Sequence, residues 1–199
     1  MKRVMLYIDD QNMYRGARRT FFPNSYNNLE GQFNPVEMGN IISQRIRPGG
    51  SRELVGIRIY TGRPNKHRNR VSYSANRRQC AQWESWGADI YSRPLRYNWS
   101  DPNSKGEQKG VDVSLAIDFV AGAIDGWYDV GIIASTDTDL IPALEFVKTR
   151  PNLGREIEVV AWREGTSYKR IDVSGGGVWC HQLSRTDYDG ILDSTNYVQ

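Results

Sequence analysis

The chain has 199 residues, of which 39% are hydrophobic and 25% charged, and its formal net charge is +3. This profile predicts a single soluble domain over residues 1–199 with one sizeable core. No apolar run approaches the ~20 residues needed to cross a bilayer, and the run after Lys2 is too short for a signal peptide, so we expect a cytoplasmic protein with no membrane partner. Two cysteines and two histidines exclude a disulfide framework and a zinc site, which leaves carboxylates as the metal ligands.

Predicted strands and helices alternate along the chain. Apolar runs predict strands at residues 4–8, 54–60, 88–93, 130–134, 156–161 and 178–183. Helical spacing predicts helices at residues 35–47, 68–86, 110–126, 139–148 and 187–192, with Pro48, Gly49 and Gly50 ending the first. Residues 14–35 show no periodicity and are predicted to form a loop. The alternation implies a mainly parallel sheet with helices on both faces, a three-layer α/β sandwich.

Positive charge is concentrated between Arg58 and Arg96. This segment carries nine basic and two acidic residues, whereas the rest of the chain has 17 basic and 21 acidic residues. A local excess of this size is typical of a surface that binds a polyanion, although a merely solvated surface is the alternative. We expect nucleic acid to be bound by Arg63, Lys66, Arg68, Arg70, Arg77 and Arg78. Aromatic residues among them could stack on bases or fill the core: Tyr60, Tyr73, Trp83, Trp86, Tyr91, Tyr97 and Trp99.

Acidic residues follow two of the predicted strands. Asp9 and Asp10 follow the strand at 4–8, and Asp137 and Asp139 follow the strand at 130–134. Ligands of parallel α/β sheets bind beyond the carboxyl ends of the strands, so both clusters should lie at the same edge. A single aspartate there could be a helix N-cap. One helix needs only one cap, however, and several close carboxylates repel one another unless a cation neutralises them.

A third acid is placed by helix geometry. At about 100° per residue, the apolar arc of the helix at 110–126 is centred roughly 50° from Asp112, so Asp112 should lie on the buried side of the first turn. In that position it could interact with the helix dipole or bind a metal ion. Asp118 and Asp125 fall on the opposite side, where we expect them to be solvated.

Three motifs occur in order: Ile8-Asp9-x-x-Asn12 at a strand end, Lys109-Gly110-Val111-Asp112 at a helix start, and Ser135-x-Asp137-x-Asp139 followed by Pro142. Together they resemble the NYN domain, a PIN-like family that includes the LabA-like proteins. The resemblance spans about residues 4–161 and leaves residues 162–199 as a C-terminal extension. Among the departures from the family pattern, Thr136 stands where glycine is usual.

The resemblance implies a Rossmann-like, PIN-like sheet in the order 3-2-1-4-5 and metal-dependent ribonuclease activity. It implies that Asp9, Asp112, Asp137 and Asp139 hold Mg2+ or Mn2+, with Asn12 supporting them. Carboxylate-held Mg2+ or Mn2+ can activate water and stabilise phosphate charge, so no histidine base is required. Lys109 could offset phosphate charge. The predicted function is hydrolysis of RNA phosphodiester bonds, and the alternative is a catalytically silent RNA-binding module with the same fold.

Two other functions fit the sequence poorly. A phosphoacceptor receiver domain needs an aspartate at the end of the middle strand and a late lysine, but residues 57–61 contain no acid and Arg163 follows the late strand. A nucleotide-binding P-loop needs Lys-Ser/Thr after its glycines, which residues 175–177 lack. A homo-oligomer is compatible with the sequence, although no motif requires one.

Overall fold

The computed structural model describes residues 1–45, 50–101 and 103–199, except for the side chains of residues 167 and 168. Short 3-10 helices cover Thr138–Leu140 and Pro151–Leu153. Residues 46–49, where the helix predicted at residues 35–47 should end, lie outside the described residues. The strands and the α-helices are, in chain order, β1 (Lys2–Asp9), α1 (Asp10–Phe21), α2 (Pro35–Gln44), β2 (Arg52–Arg63), α3 (Arg70–Ser85), β3 (Asp89–Pro94), α4 (Val111–Asp125), β4 (Val130–Ala134), α5 (Ile141–Lys148), β5 (Glu156–Glu164), β6 (Ser167–Tyr168), β7 (Trp179–Leu183) and α6 (Arg185–Gly190).

The central sheet has six parallel strands in the order β3-β2-β1-β4-β5-β7. The two-residue strand β6 pairs antiparallel with the end of β5. This arrangement confirms the predicted α/β class and the order 3-2-1-4-5, and β7 extends the sheet by one parallel strand. None of the helices in the described part of the chain is long and apolar enough to cross a membrane.

Side chains of β1 alternate between two hydrophobic cores. Val4, Leu6 and Ile8 pack on one face of the sheet with residues of α1, α2, α3 and α6. Met5 and Tyr7 pack on the other face with α4 and α5. Because a strand sends successive side chains to opposite faces, an apolar run such as residues 4–8 needs helices on both sides. The molecule is therefore the predicted three-layer sandwich.

Helix α1 corrects the prediction of a loop that begins at Tyr14. The helix is capped by Asp9, whose carboxylate accepts a hydrogen bond from the backbone N–H of Asn12. Its buried residues are Met13, Ala17 and Phe21, spaced four residues apart. These three residues form a narrow apolar stripe, which is enough to pack the helix on the sheet because most of its other residues are polar. The surrounding arginines and asparagines conceal this period in the sequence.

The buried face of α4 is rotated from the predicted one, and the predicted solvation of Asp118 is wrong. The Asp118 carboxylate accepts a hydrogen bond of 2.7 Å from the Tyr60 hydroxyl and lies 3.5 Å from Nη1 of Arg58. The sheet below α4 thus offers polar partners that a helical wheel does not show. Asp125 is exposed, as predicted. The buried residues of α4 are Val111, Leu115, Phe119, Gly122 and Ala123, whereas Val113, Ile117 and Ile124 are exposed.

Candidate metal centre

The site lies where β1 and β4 end side by side. Ile8 pairs with Ala134 in the sheet, so the residues that follow the two strands are neighbours. Asp9 is the last residue of β1. Ser135 follows β4 directly, and Asp137 lies two residues further on. Gly110 caps α4 with φ of 77°, a left-handed conformation that favours glycine. The turn at Gly110 brings Asp112, in the first turn of α4, to the same sheet edge.

Three carboxylates converge at this edge. One oxygen from each of Asp9, Asp112 and Asp137 lies within 4.8 Å of the other two. Asp9 is 3% exposed, and the other two residues are half-buried. Asp139 is exposed and does not belong to this group, although it lies close enough to Asp112 to affect its ionisation. The four predicted metal ligands are thus divided into a tight group of three and one peripheral acid.

Hydrogen bonds fix the carboxylate of Asp9. Its Oδ1 accepts the backbone N–H of Asn12 at 3.1 Å, and its Oδ2 accepts the hydroxyl of Ser135 at 3.1 Å. The Ser135 oxygen also accepts the backbone N–H of Asp137. One serine therefore links two of the three carboxylate residues.

Asn12 acts as a clasp between α1 and the loop after β4. Its side-chain oxygen accepts both the backbone N–H and the hydroxyl of Thr136, each at 3.0 Å. The hydroxyl of Thr136 supplies the second of these bonds. The clasp holds the loop that carries Asp137 against the first turn of α1.

Burial and mutual repulsion disfavour ionisation at the centre. Burial raises the pKa of Asp9 to about 7, even though the N–H of Asn12 and the Ser135 hydroxyl lower it. Burial also raises the pKa of Asp112, and the negative charges of Asp137 and Asp139 raise it further. Three close oxygen ligands with unfavourable charge repulsion fit a hard divalent cation such as Mg2+ or Mn2+.

Two arginines that the sequence analysis did not single out line the same cleft. Arg15 and Arg19 belong to α1 and lie beside Asn12 in a cleft of about 420 Å³ that also contains Asp9, Asp112 and Asp137. The spacing of Asn12, Arg15 and Arg19 places them on one side of a helix. This helical spacing is concealed in the sequence because most residues of α1 are polar and only three are buried.

The basic segment divides into two groups. Arg68 lies over the ring of Trp99 at 4.5 Å and donates to the backbone carbonyls of Asn98 and Asp101. Arg78 donates to the carbonyl of Tyr197, which holds the C-terminal residues against α3. These two arginines have structural contacts within the chain. The other predicted nucleic-acid contacts are exposed or half-exposed: Arg63, Lys66, Arg70, Arg77 and Lys109.

Two of the seven aromatic residues of the basic segment are core residues. Tyr60 and Trp83 are buried, and Tyr91 stacks on Tyr60 with ring centroids 5.1 Å apart. Tyr97 and Trp99 surround Arg68. The stacking interpretation is therefore left mainly to exposed rings such as Trp99.

Comparisons with known proteins agree with the motifs and the sheet. A model of the NYN domain matches residues 3–174. The fold is similar to the crystal structure of VPA0982, a protein of unknown function from Vibrio parahaemolyticus RIMD 2210633, with a TM-score of 0.53, 18% identity and 80% of each chain covered. No curated protein matches the chain. Because the NYN model covers most of the sequence, the chain belongs to the NYN domain family.

Proposed function

We propose that the protein is a metal-dependent ribonuclease that hydrolyses RNA phosphodiester bonds at the Asp9, Asp112 and Asp137 centre. The observation that carries the proposal is the convergence of three carboxylates from separate elements within 4.8 Å. NYN domains have a nuclease-like fold and act on nucleic acid, and this membership supports RNA as the substrate. Mg2+ or Mn2+ is the ion that suits these oxygen ligands.

Different residues of the cleft would bind the metal ion and position its ligands. A divalent ion held by Asp9, Asp112 and Asp137 would supply an activated water and stabilise charge on phosphate oxygens. Ser135 and Asn12 keep these carboxylates in place through the hydrogen bonds described above. Asp139 would add negative charge at the periphery, which favours a cation over an empty site.

Cationic side chains would hold the RNA backbone. Arg15 and Arg19 share the cleft with the carboxylates, where their guanidinium groups can bind phosphate oxygens in a bidentate manner. Lys109 is exposed and lies just before Gly110, the cap of α4, so it can contact the RNA backbone near the centre. The exposed Lys66, Arg70 and Arg77 would extend this contact along the basic segment.

The proposal places the protein in the cytoplasm with RNA as its partner. Cys80 and Cys180 are both free thiols, and unpaired cysteines fit a reducing compartment. Fractionation of cells that produce the tagged protein tests this placement. Recovery of the protein in the membrane or exported fraction would contradict it.

The decisive experiment incubates the purified protein with a labelled single-stranded RNA of mixed sequence, with Mn2+ or with EDTA. We expect cleavage in Mn2+ and none in EDTA. Asp112→Asn keeps the size of the side chain but removes its charge, and should lower kcat/KM by more than about 100-fold, beyond the loss typical of an outer-shell residue. Asp125→Asn, on the exposed far end of the same helix, is the matched control and should retain activity.

The outcomes separate three cases. Full activity in EDTA, or equal activity of Asp112→Asn and Asp125→Asn, would show that the carboxylate centre is not catalytic. Salt-dependent RNA binding without any cleavage in Mn2+ or Mg2+ would assign the protein to the silent RNA-binding modules.

A further inference from the structure

A second recess lies next to the metal cleft. It has a volume of about 620 Å³, within the range of small-molecule sites, and is formed by α1, α3, the loop after α1 and the C-terminal residues 196–198. Gln11 and Gln108 line both the recess and the metal cleft, so the two spaces adjoin. A chain bound at the carboxylates can therefore place its next group in the recess.

The lining of the recess is rich in amides and poor in cations. Eight asparagine or glutamine side chains line it, among them Asn28, Asn76, Gln79 and Gln108. Within the described part of the chain, no lysine or arginine lines it, and it contains the carboxylate of Asp10. A phosphate would meet no positive charge here, whereas the adjoining cleft contains two arginines. The recess is thus suited to a neutral polar group.

Hydrogen-bonding capacity remains open on the α3 side. Oδ1 of Asn76 is buried and has no hydrogen-bond partner among the described residues. A buried acceptor without a donor is unfavourable. Because the Asn76 side chain lines the recess, a rotation that turns Oδ1 toward a ligand N–H group would relieve this cost. Asp10 adds another acceptor: its Oδ2 accepts the hydroxyl of Thr61 at 2.7 Å, and a carboxylate can accept further hydrogen bonds. An exocyclic amine carries two hydrogens and can donate to both acceptors, whereas uracil has only its single N3–H. The two acceptors therefore favour a ligand that carries an amino group.

Aromatic rings lie at the recess as well. Tyr14 and Tyr26 line it, and Tyr26 is 98% exposed. The hydroxyl of Tyr14 donates to the carbonyl of Asn28 at 3.0 Å, which fixes that ring beside the amides. Flat aromatic faces next to amide groups are the combination that proteins use to stack and read an unpaired nucleobase.

We propose that this recess binds one nucleobase of single-stranded RNA, next to the phosphodiester bond that is cleaved, and prefers bases with an exocyclic amine over uracil. The inference rests on the proposed nuclease function, because the metal cleft supplies the neighbouring phosphate. The base must be unstacked and unpaired to enter, so paired RNA is excluded from this subsite.

The first test reads base preference from cleavage. A random-sequence RNA pool is digested in Mn2+, and the nucleotides flanking each cut are counted. We expect uracil to be depleted about three- to tenfold at one position beside the cut, the range expected for a lost hydrogen bond. The double variant Asn76→Ala/Gln79→Ala should lose this depletion. Gln82→Ala, on the same helix but outside the recess, should retain it.

The second test needs no cleavage. Binding of labelled ten-nucleotide homopolymers of A, C and U is measured in EDTA by fluorescence anisotropy. We expect the wild-type protein to bind oligo-U about three- to tenfold more weakly, and the difference to disappear in the double variant but not in Gln82→Ala. The single variants Asn76→Ala and Gln79→Ala give the same comparison if the double variant fails to fold.

Failure of the subsite and failure of the nuclease are distinguishable. Cleavage with no base preference, or with a preference that the double variant retains, would overturn the base subsite and leave the nuclease in place. A base preference in EDTA with no cleavage in Mn2+ would support the subsite and overturn the nuclease. Equal binding of all three homopolymers would assign the recess to another class of ligand and overturn the inference.

Discussion

Asp112 and Asp118 lie on the same helix but have different partners. Asp112 is close to the carboxylates of Asp9 and Asp137, whereas Asp118 accepts a hydrogen bond from the buried hydroxyl of Tyr60 and pairs with Arg58. The first residue is surrounded by negative charge and the second by donors. We therefore expect Asp112 to matter for metal binding and Asp118 for stability.

The substitution Asp118→Ala tests this separation. It leaves the hydroxyl of the fully buried Tyr60 without its acceptor, and should lower the free energy of unfolding by about 1–3 kcal/mol. Urea denaturation measures the loss, with Asp125→Ala as an exposed control that should stay within about 0.5 kcal/mol. Mn2+ affinity should be unchanged in both variants. A destabilisation no larger than that of the control would mean that Tyr60 finds another acceptor.

At the scale of elements, the site depends on how α1 is fastened to the loop after β4. Asn12 accepts two hydrogen bonds from Thr136, and the next residue, Asp137, carries one of the converging carboxylates. Outer-shell contacts of this kind keep the ligands of a metal in a productive orientation.

We expect Asn12→Ala to release this loop without unfolding the protein. Mn2+ affinity, measured by calorimetric titration, should fall about 10- to 100-fold, the range typical of outer-shell residues. Asn24→Ala is the matched control, since Asn24 is exposed in the loop after α1. Wild-type affinity in Asn12→Ala would show that the loop holds its position without the clasp.

At the scale of the whole molecule, a buried ion pair connects strands that are not neighbours. Arg52 of β2 forms two bonds of 2.9 and 2.8 Å to Glu158 of β5, across β1 and β4. His181 of β7 lies 2.7 Å from the same carboxylate. Burial opposes ionisation of Glu158, but the bonds from His181 and Arg52 hold its pKa at about 2.

A lowered pKa in the folded state makes stability depend on pH with a defined sign. The unfolded chain binds the proton more tightly, so the contribution of Glu158 is complete above its ordinary pKa of 4.5 and is lost as the pH falls toward 2. Glu158→Gln should lower the free energy of unfolding by about 3–5 kcal/mol at neutral pH. The stability of this variant should also fall less steeply than that of the wild type as the pH is lowered below 4.5. Glu156→Gln, in a more exposed pair with Lys2, should cost at most about 1 kcal/mol. Parallel pH profiles for the wild type and Glu158→Gln would contradict this assignment.

The salt dependence of RNA affinity should come mainly from the basic segment between Arg58 and Arg96. Neutralising Lys66, Arg70 and Arg77 together to glutamine should lower the slope of log K against log salt by about 0.7 for each lost phosphate contact with a single strand. The control neutralises Lys2, Arg3 and Arg155, which lie at the amino ends of the strands, opposite the metal centre. Equal slopes in the two triple variants would mean that net charge, and not this surface, controls binding.

The sequence alone determined the features that depend on local pattern. The apolar runs at residues 4–8 and 130–134 are strands in the structure, and the alternation of strands and helices gave the parallel three-layer sandwich. Asp9 and Asp137 follow neighbouring strands, so their approach to one another follows from strand order. These features are predictable because burial on both faces and chain connectivity leave their marks in the order of residues.

Only the tertiary structure decided which side of each helix is buried and what each charge contacts. Helix α1 is formed with three buried residues, and its Arg15 and Arg19 enter the metal cleft. Helix α4 is rotated by the demands of packing on the sheet, which gives Asp118 a tyrosine partner and leaves Ile117 exposed. Asp139 lies exposed in the first turn of a 3-10 helix and is not among the three converging carboxylates. Such outcomes depend on the surface that a helix meets, and residues distant in sequence supply that surface.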